Sequence, residues 1–140
     1  MDLDFFKKTR ILDGGMGQEL LARGMKPNGT LWSANALLQE KYHKLLLDTH
    51  LDFIKAGAEV IVTNTFTTRK IRLKDNNVED KFEYLNKKAG EIALKAKDFY
   101  PNILIAGGLP PQYLTYEADK RTENEIQENF YNQARLLNPY

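Results

Sequence analysis

Apolar positions along this chain fall into two arrangements: short continuous runs, and stripes spaced three and four residues apart. The runs cover Ile11 and Leu12, residues 59–65 and residues 103–106. The second run, EVIVTNTF, is nearly all apolar until it turns polar at its C-terminal end, the pattern of a strand buried on both faces. NILIAGG reads the same way and also ends in small residues. The stripes predict helices. Over residues 38–56, Tyr42, Leu45, Leu46, Phe53 and Ile54 share a face, and Gly57 is placed as a C-terminal stop. Over residues 78–100 the stripe is Phe82, Leu85, Ala89, Ile92, Ala93, Ala96 and Phe99, ended by Pro101. Thr122-Glu123-Asn124-Glu125 reads as a capping box. It opens a third helix with Ile126, Phe130, Ala134 and Leu137 on one face, stopped by Pro139.

The order strand, helix, strand, helix, strand, helix predicts an α/β fold of parallel βα units with right-handed crossovers. No internal repeat, low-complexity tract or linker interrupts it. Residues 107–121, with two prolines, are a long loop after the third strand, and such loops at strand C-termini are where sites are usually built. The sequence ends where a fourth strand is due. Three βα units are less than half of an eight-fold barrel, usually ~250 residues. The expectation is therefore a partial or partner-dependent chain, with an open sheet edge.

Composition narrows the function classes. A chain of 140 residues suits one domain. A formal net charge of +1 gives no electrostatic reason to expect nucleic acid or an anionic membrane. No apolar run approaches the ~20 residues of a membrane span, and residues 1–10 lack the apolar core of a signal peptide. There is no cysteine, so the chain holds no disulfide and no thiolate metal site, in agreement with a cytoplasmic protein. Asn28-Gly29-Thr30 matches a glycosylation acceptor and is read as a turn.

Candidate chemistry begins at ILDGGMGQEL, residues 11–20, where a carboxylate, Asp13, ends an apolar pair and nearly bare backbone follows. Gly15-Met16-Gly17 starts a dinucleotide fingerprint, but its third glycine position is Leu20, and no Gly-Lys-Ser/Thr is present. What remains is a turn whose Gly14 and Gly15 amides are free of side chains and suit a carboxylate or another small anion. A plain tight turn explains the Asp-Gly pair equally well. His43 and His50 are seven apart, ~10 Å along a helix, too far to bind one metal; packing or surface histidines are the simpler reading. Trp32 is either a lid on the core or a wall of a ligand pocket. Thr63, Asn64 and Thr65 stand at a strand's polar end, with Asn64 pointing opposite to its neighbours. They are site residues if the strand belongs to a barrel, and otherwise strand-end solvation. The charged stretches RKIRLKDNN and KFEYLNKKAGE are mixed in sign and read as solvated surface.

Taken together, ILDGGMGQELLARG, LWSANALL, HLDFIKAGAEVIVTNTF, AGGLPP and YNQARLLNPY resemble the homocysteine S-methyltransferase family, in order and approximate spacing, from residue 10 to the end. The resemblance implies the first three βα units of a (β/α)8 TIM-type barrel, incomplete in this chain, with residues 1–140 forming the N-terminal portion of a homocysteine-binding domain. It implies methyl transfer to the homocysteine thiolate, giving methionine, from a donor such as S-methylmethionine. It implies a zinc ion held by three cysteines, none of which occurs here. By the same resemblance, Asp13, Gly14 and Gly15 face the amino-acid part of homocysteine. Trp32 stands on the donor side, and Asn64 belongs to the strand-two TNTF segment. Thr67 follows Phe66 where betaine-using members carry Tyr, which argues against betaine as donor. The implied chain is an inactive N-terminal fragment. The alternative is a non-catalytic half-barrel module that self-associates or assembles with another chain.

Overall fold

A computed structural model describes residues 3–140. The first strand is the shortest element. Leu12 forms a single parallel bridge to Val60, Glu59 N–H donates to Ile11 O at 2.8 Å, and Asp13 N–H donates to Val60 O at 3.0 Å. The strand anticipated at Ile11 and Leu12 is thus reduced to a bridge, because the next donor along the partner strand, Val62 N–H, is taken by the Asp13 carboxylate at 2.9 Å, and helix α1, Met16–Ala22, soon follows. A 3-10 turn, Trp32–Ala34, leads into the short α2, Asn35–Leu38.

The helix read over residues 38–56 is broken. Gln39 is extended, at φ −106° and ψ 112°, so a 3-10 turn, Glu40–Tyr42, separates α2 from α3, His43–Lys55. Gly57, at φ +112°, ends α3 as its sequence position implied. Strand β1 is Val60–Val62. It stops before residue 65 because Thr65 N–H donates back to Thr63 O at 2.7 Å, turning the chain. Helix α4, Lys70–Lys74, follows. It lies in the stretch read as solvated surface, yet Arg69 and Leu73 are fully buried. A 3-10 turn, Glu79–Lys81, precedes α5, Phe82–Phe99. Strand β2, Leu104–Ala106, pairs parallel with β1 in the register Val60–Leu104, Ile61–Ile105, Val62–Ala106. Its residues are half-buried, not enclosed on both faces, and among the described residues it has a strand neighbour on one edge alone. Helix α6, Glu123–Leu137, carries the anticipated capping box.

The sheet therefore grows as bridge, β1, β2, each neighbour parallel and each separated in sequence by helix, and it does not close into a barrel. Two apolar clusters hold it. Leu20, Leu37, Leu46, Leu73, Leu85 and Leu136 pack among the helices. Ile54, Ile61, Ala93, Ala96 and Ile103 lie between α3, α5 and the sheet. No helix among the described residues is long and apolar enough to cross a membrane. This layering leaves the C-terminal ends of the strands free to carry the loops.

Candidate functional site

Those strand ends surround a cavity of about 270 Å³, floored by Asp13, Gly14 and Gly15, backed by residues 62–66, and walled by Gly17, Trp32 and Ser33. All five residues singled out in the sequence border this region: Asp13, Gly14, Gly15, Trp32 and Asn64.

Asp13 is held by the pairing that precedes it. Its Oδ2 accepts from Val62 N–H at 2.9 Å, so the carboxyl crosses from the first strand to the end of β1. Burial pushes its pKa up to about 6, opposed by the Val62 N–H and its own backbone N–H. Below it, His50 projects from α3, fully buried, with Nδ1 at 3.9 Å from Asp13 Oδ2. Neither ring nitrogen of His50 has a hydrogen-bond partner. Burial depresses its pKa to about 4, so it is neutral at pH 7. The pair thus places an ionised acid above a neutral imidazole, in a site short of solvent. Such a carboxylate gains most from a cationic partner arriving from the cavity.

The glycines divide their work. A Cβ on Gly15 would meet nothing within 4 Å, so its backbone is open. A Cβ on Gly14 would lie 2.8 Å from the Phe53 ring, so Gly14 is bare for packing against α3. Gly17, not singled out in the sequence, lies against the Trp32 indole, where a Cβ would overlap Nε1 at 1.5 Å.

Trp32 is not a core lid. It is 48% exposed and holds φ at +46°. A bulky side chain in the left-handed region is uncommon and costs ~1–3 kcal/mol. Phe66, across the opening, is 50% exposed. Two large apolar side chains kept half in water, one on strained backbone, border the opening of the cavity and add little to the core.

The TNTF segment behaves as strand alternation requires. Asn64 turns to Ser33, donating from Nδ2 to Ser33 O at 2.9 Å. Thr63 and Thr65 turn to β2: Gly108 N–H donates to Thr63 Oγ1 at 3.0 Å, and Thr65 Oγ1 donates to Gly108 O at 2.6 Å. Asn64 therefore fixes the Trp32 turn to β1, and the threonines fix the loop after β2.

Among the described residues, no group of three His, Asp or Glu side chains gathers to hold a metal. His43 Nε2 is engaged with Leu37 O at 2.9 Å, and His50 faces one acid. These side chains do not fit the cysteine-bound zinc that the resemblance implies, and no step below passes through a metal. Sequence reasoning missed the part of His50 beneath Asp13. The signal was its position within HLDFIKAGAEV, one helix before the strand that Asp13 joins.

The geometry has counterparts. The family model described as homocysteine S-methyltransferase matches residues 10–139. Homocysteine S-methyltransferase 2 of Zea mays is 37% identical over 105 residues, covering 74% of this chain and 30% of that protein. Homocysteine S-methyltransferase of Escherichia coli K12 is 32% identical over 117 residues, covering 78% and 37%. Selenocysteine Se-methyltransferase of Brassica oleracea var. italica is 37% identical over 92 residues, covering 64% and 26%. The chain thus spans about a third or less of the curated relatives it matches. The crystal structure of the homocysteine methyltransferase MmuM from Escherichia coli, in its metallated form, superposes with a TM-score of 0.81 at 27% identity, covering 98% of this chain and 53% of that one. The anticipated α/β architecture is thereby that of part of a homocysteine methyltransferase barrel. With nearly its whole length matched by the family model, the chain belongs to the homocysteine S-methyltransferase family.

Proposed function

We propose that this chain supplies the amino-acid-binding part of a homocysteine S-methyltransferase site, serving methyl transfer to the homocysteine sulfur to give methionine. The observation that supports it most is Asp13, an acid buried at a strand end, facing a small cavity with open Gly15 backbone beside it. In this reading the homocysteine ammonium donates to the free lone pairs of Asp13, and its carboxylate lies on the glycine amides. Trp32 and Phe66 shield the sulfur from water. Their ring faces favour a positively charged methyl donor such as S-methylmethionine. Asn64 acts by holding Ser33, and with it the Trp32 turn. The reading carries a cytoplasmic location with it.

The reaction itself breaks the donor's methyl bond as the homocysteine sulfur forms a new one, and the sulfur must first lose its proton. A free thiol has a pKa near ~8.5. The cavity's acid is committed to the ammonium, and the chain contains no cysteine to build a thiolate metal site. Binding without enzyme-like turnover is therefore the expected behaviour of the 140 residues alone.

Trp32 is the sole tryptophan, so its fluorescence reports on this cavity. Titration with L-homocysteine should give a saturable change, and Asp13→Asn should weaken binding at least about tenfold, since a charged hydrogen bond is worth ~1.5–3 kcal/mol. Saturable binding that Asp13→Asn leaves untouched would remove the basis of the assignment. Methionine formed by the purified chain from homocysteine and S-methylmethionine would overturn the expectation of binding without turnover. A second reading, a half-barrel module completed by another copy or chain, is favoured by the open edges of the sheet. Its test is the oligomeric state.

A further inference from the structure

Behind Trp32 and Phe66 lies a second, larger cavity of about 580 Å³, which shares those two side chains with the first. Its polar lining is mostly spent on the protein itself. Thr67 Oγ1 donates to Leu31 O at 2.7 Å and accepts from Ala34 N–H at 3.1 Å. Asn28 Nδ2 donates to Asn35 Oδ1 at 3.2 Å, and Thr30 Oγ1 accepts from Asn76 Nδ2 at 2.8 Å.

The two arginines differ. Arg69 is fully buried. It donates from Nη1 to Phe66 O at 2.8 Å and from Nη2 to Thr115 Oγ1 at 3.2 Å, but its Nε has no partner. Arg72, half-buried on α4 and lining the same cavity, also has an unpartnered buried Nε. Among the described residues no carboxylate oxygen lies within the 4.0 Å of an ion pair from either guanidinium. Asp75 acts on Arg69 from farther away, and Arg72 repels it, while burial holds the Arg69 pKa below its ordinary value. Two like charges are therefore held near one another: Arg69 lies out of water with neutral acceptors only, and Arg72 is half in water with its buried Nε unpartnered. Buried charge of this kind is costly until an opposite charge joins it.

We infer that this second cavity is an oxyanion site, in which Arg72, with Arg69 behind it, receives the carboxylate or phosphate group of a small ligand whose apolar body lies against Trp32 and Phe66. Arginine suits such groups because its planar fork of N–H donors matches their oxygens. The volume exceeds that of the Asp13 cavity, and the aromatic walls accept a body larger than a bare ion. The site stands independently of the homocysteine assignment, since none of its charged residues touches the Asp13 cavity.

The experiment follows Trp32 fluorescence and the Nε–H signals of Arg69 and Arg72 in nitrogen-15 spectra, while the chain is titrated with sodium phosphate, sodium acetate or sodium chloride at constant ionic strength. A saturable response to phosphate or acetate is expected, moving the arginine Nε–H signals and absent with chloride. Phosphate alone would identify a phosphate-bearing ligand, and acetate a carboxylate. Arg72→Gln should weaken the response at least about tenfold while leaving the L-homocysteine titration unchanged. Arg69→Lys tests the buried partner, and Arg72→Gln keeps the inference decidable if the Arg69 variant fails to fold. Responses equal to chloride, or an Arg72→Gln chain that binds as before, would overturn the site.

Discussion

Asp13 and His50 have opposite acid–base habits, and this determines how they act together on stability. The folded Asp13 titrates near 6 instead of 3.8. Its contribution is present below the unfolded value and is lost as pH rises through 6. The folded His50 titrates near 4 instead of 6.5. Its contribution is present above 6.5 and is lost as pH falls through 4. Between about pH 4.5 and 6 the two slopes oppose each other. Asp52, Glu59 and Asp119 are instead held below their ordinary values, chiefly by side-chain hydrogen bonds from Arg23, Arg10 and Arg121, a pull opposite to that on Asp13. His50→Leu removes one slope and leaves the other, so the variant's stability should fall as pH rises from 4.5 to 6.5, while the parent chain's changes little. Urea melts at three pH values check this, and a flat variant profile would contradict the buried acid.

Gly17 poses a different trade at the same scale. Alanine is favoured over glycine in a helix by up to ~1 kcal/mol, less in the first turn, where Gly17 stands, and here its methyl would occupy the place of the Trp32 indole nitrogen. The indole can swing out toward solvent, which it already half faces. Gly17→Ala should therefore change stability by less than about 1 kcal/mol, red-shift Trp32 emission and lose homocysteine binding. A variant that unfolds, or one that binds normally, would show that the indole is not placed as described.

Among elements, the helices were legible where one physical rule dominated. Helix α6 is announced by its cap: Thr122 Oγ1 accepts from Glu125 N–H at 3.4 Å, and Glu125 Oε2 accepts from Thr122 N–H at 2.9 Å. Thr122→Ala should cost about 1 kcal/mol, read as a lower urea midpoint with an unchanged slope. Helix α5 follows most of its stripe, but it starts at Phe82 after a 3-10 turn over Glu79–Lys81, and the last member, Phe99, turns out 65% exposed. The break at Gln39 was not legible, because its apolar neighbours keep helical spacing on both sides. Helix α4 was hidden by charge: RKIRLK looks like surface, yet packing turns Leu73 and Arg69 inward. The strands were legible as apolar runs but not in length, since backbone bonds such as Thr65 to Thr63 end β1 where composition shows no change. In the site, Asp13 and Gly15 were visible as acid and bare backbone. The bond from Asp13 to Val62, the imidazole beneath it and the fit of Trp32 on Gly17 depend on long-range contacts that spacing does not encode.

For the whole molecule, the decisive feature is that burial is uneven. The helical layer is well filled, with Leu20, Leu37, Leu46, Leu73 and Leu85 fully enclosed. The sheet is not. Ile11 and Leu12 are 58% and 59% exposed at one edge, and Leu109 lies 45% exposed beyond the other. Parallel sheets rarely stand with open edges and an uncovered face. Apolar surface gains ~25 cal/mol per Å² on burial, so covering these edges offers several kcal/mol, a large share of the ~5–15 kcal/mol that stabilises an ordinary domain. The helical core should hold secondary structure while the edges drive association. Light scattering should therefore show mass rising with concentration, and lysine at both Leu12 and Leu109 should suppress it while the helical circular dichroism persists, because both side chains are exposed and charge on an edge opposes pairing. A monodisperse monomer with a sharp cooperative melt at every concentration would mean that the helical layer alone supports the three parallel segments, and it would remove the ground for the half-barrel reading.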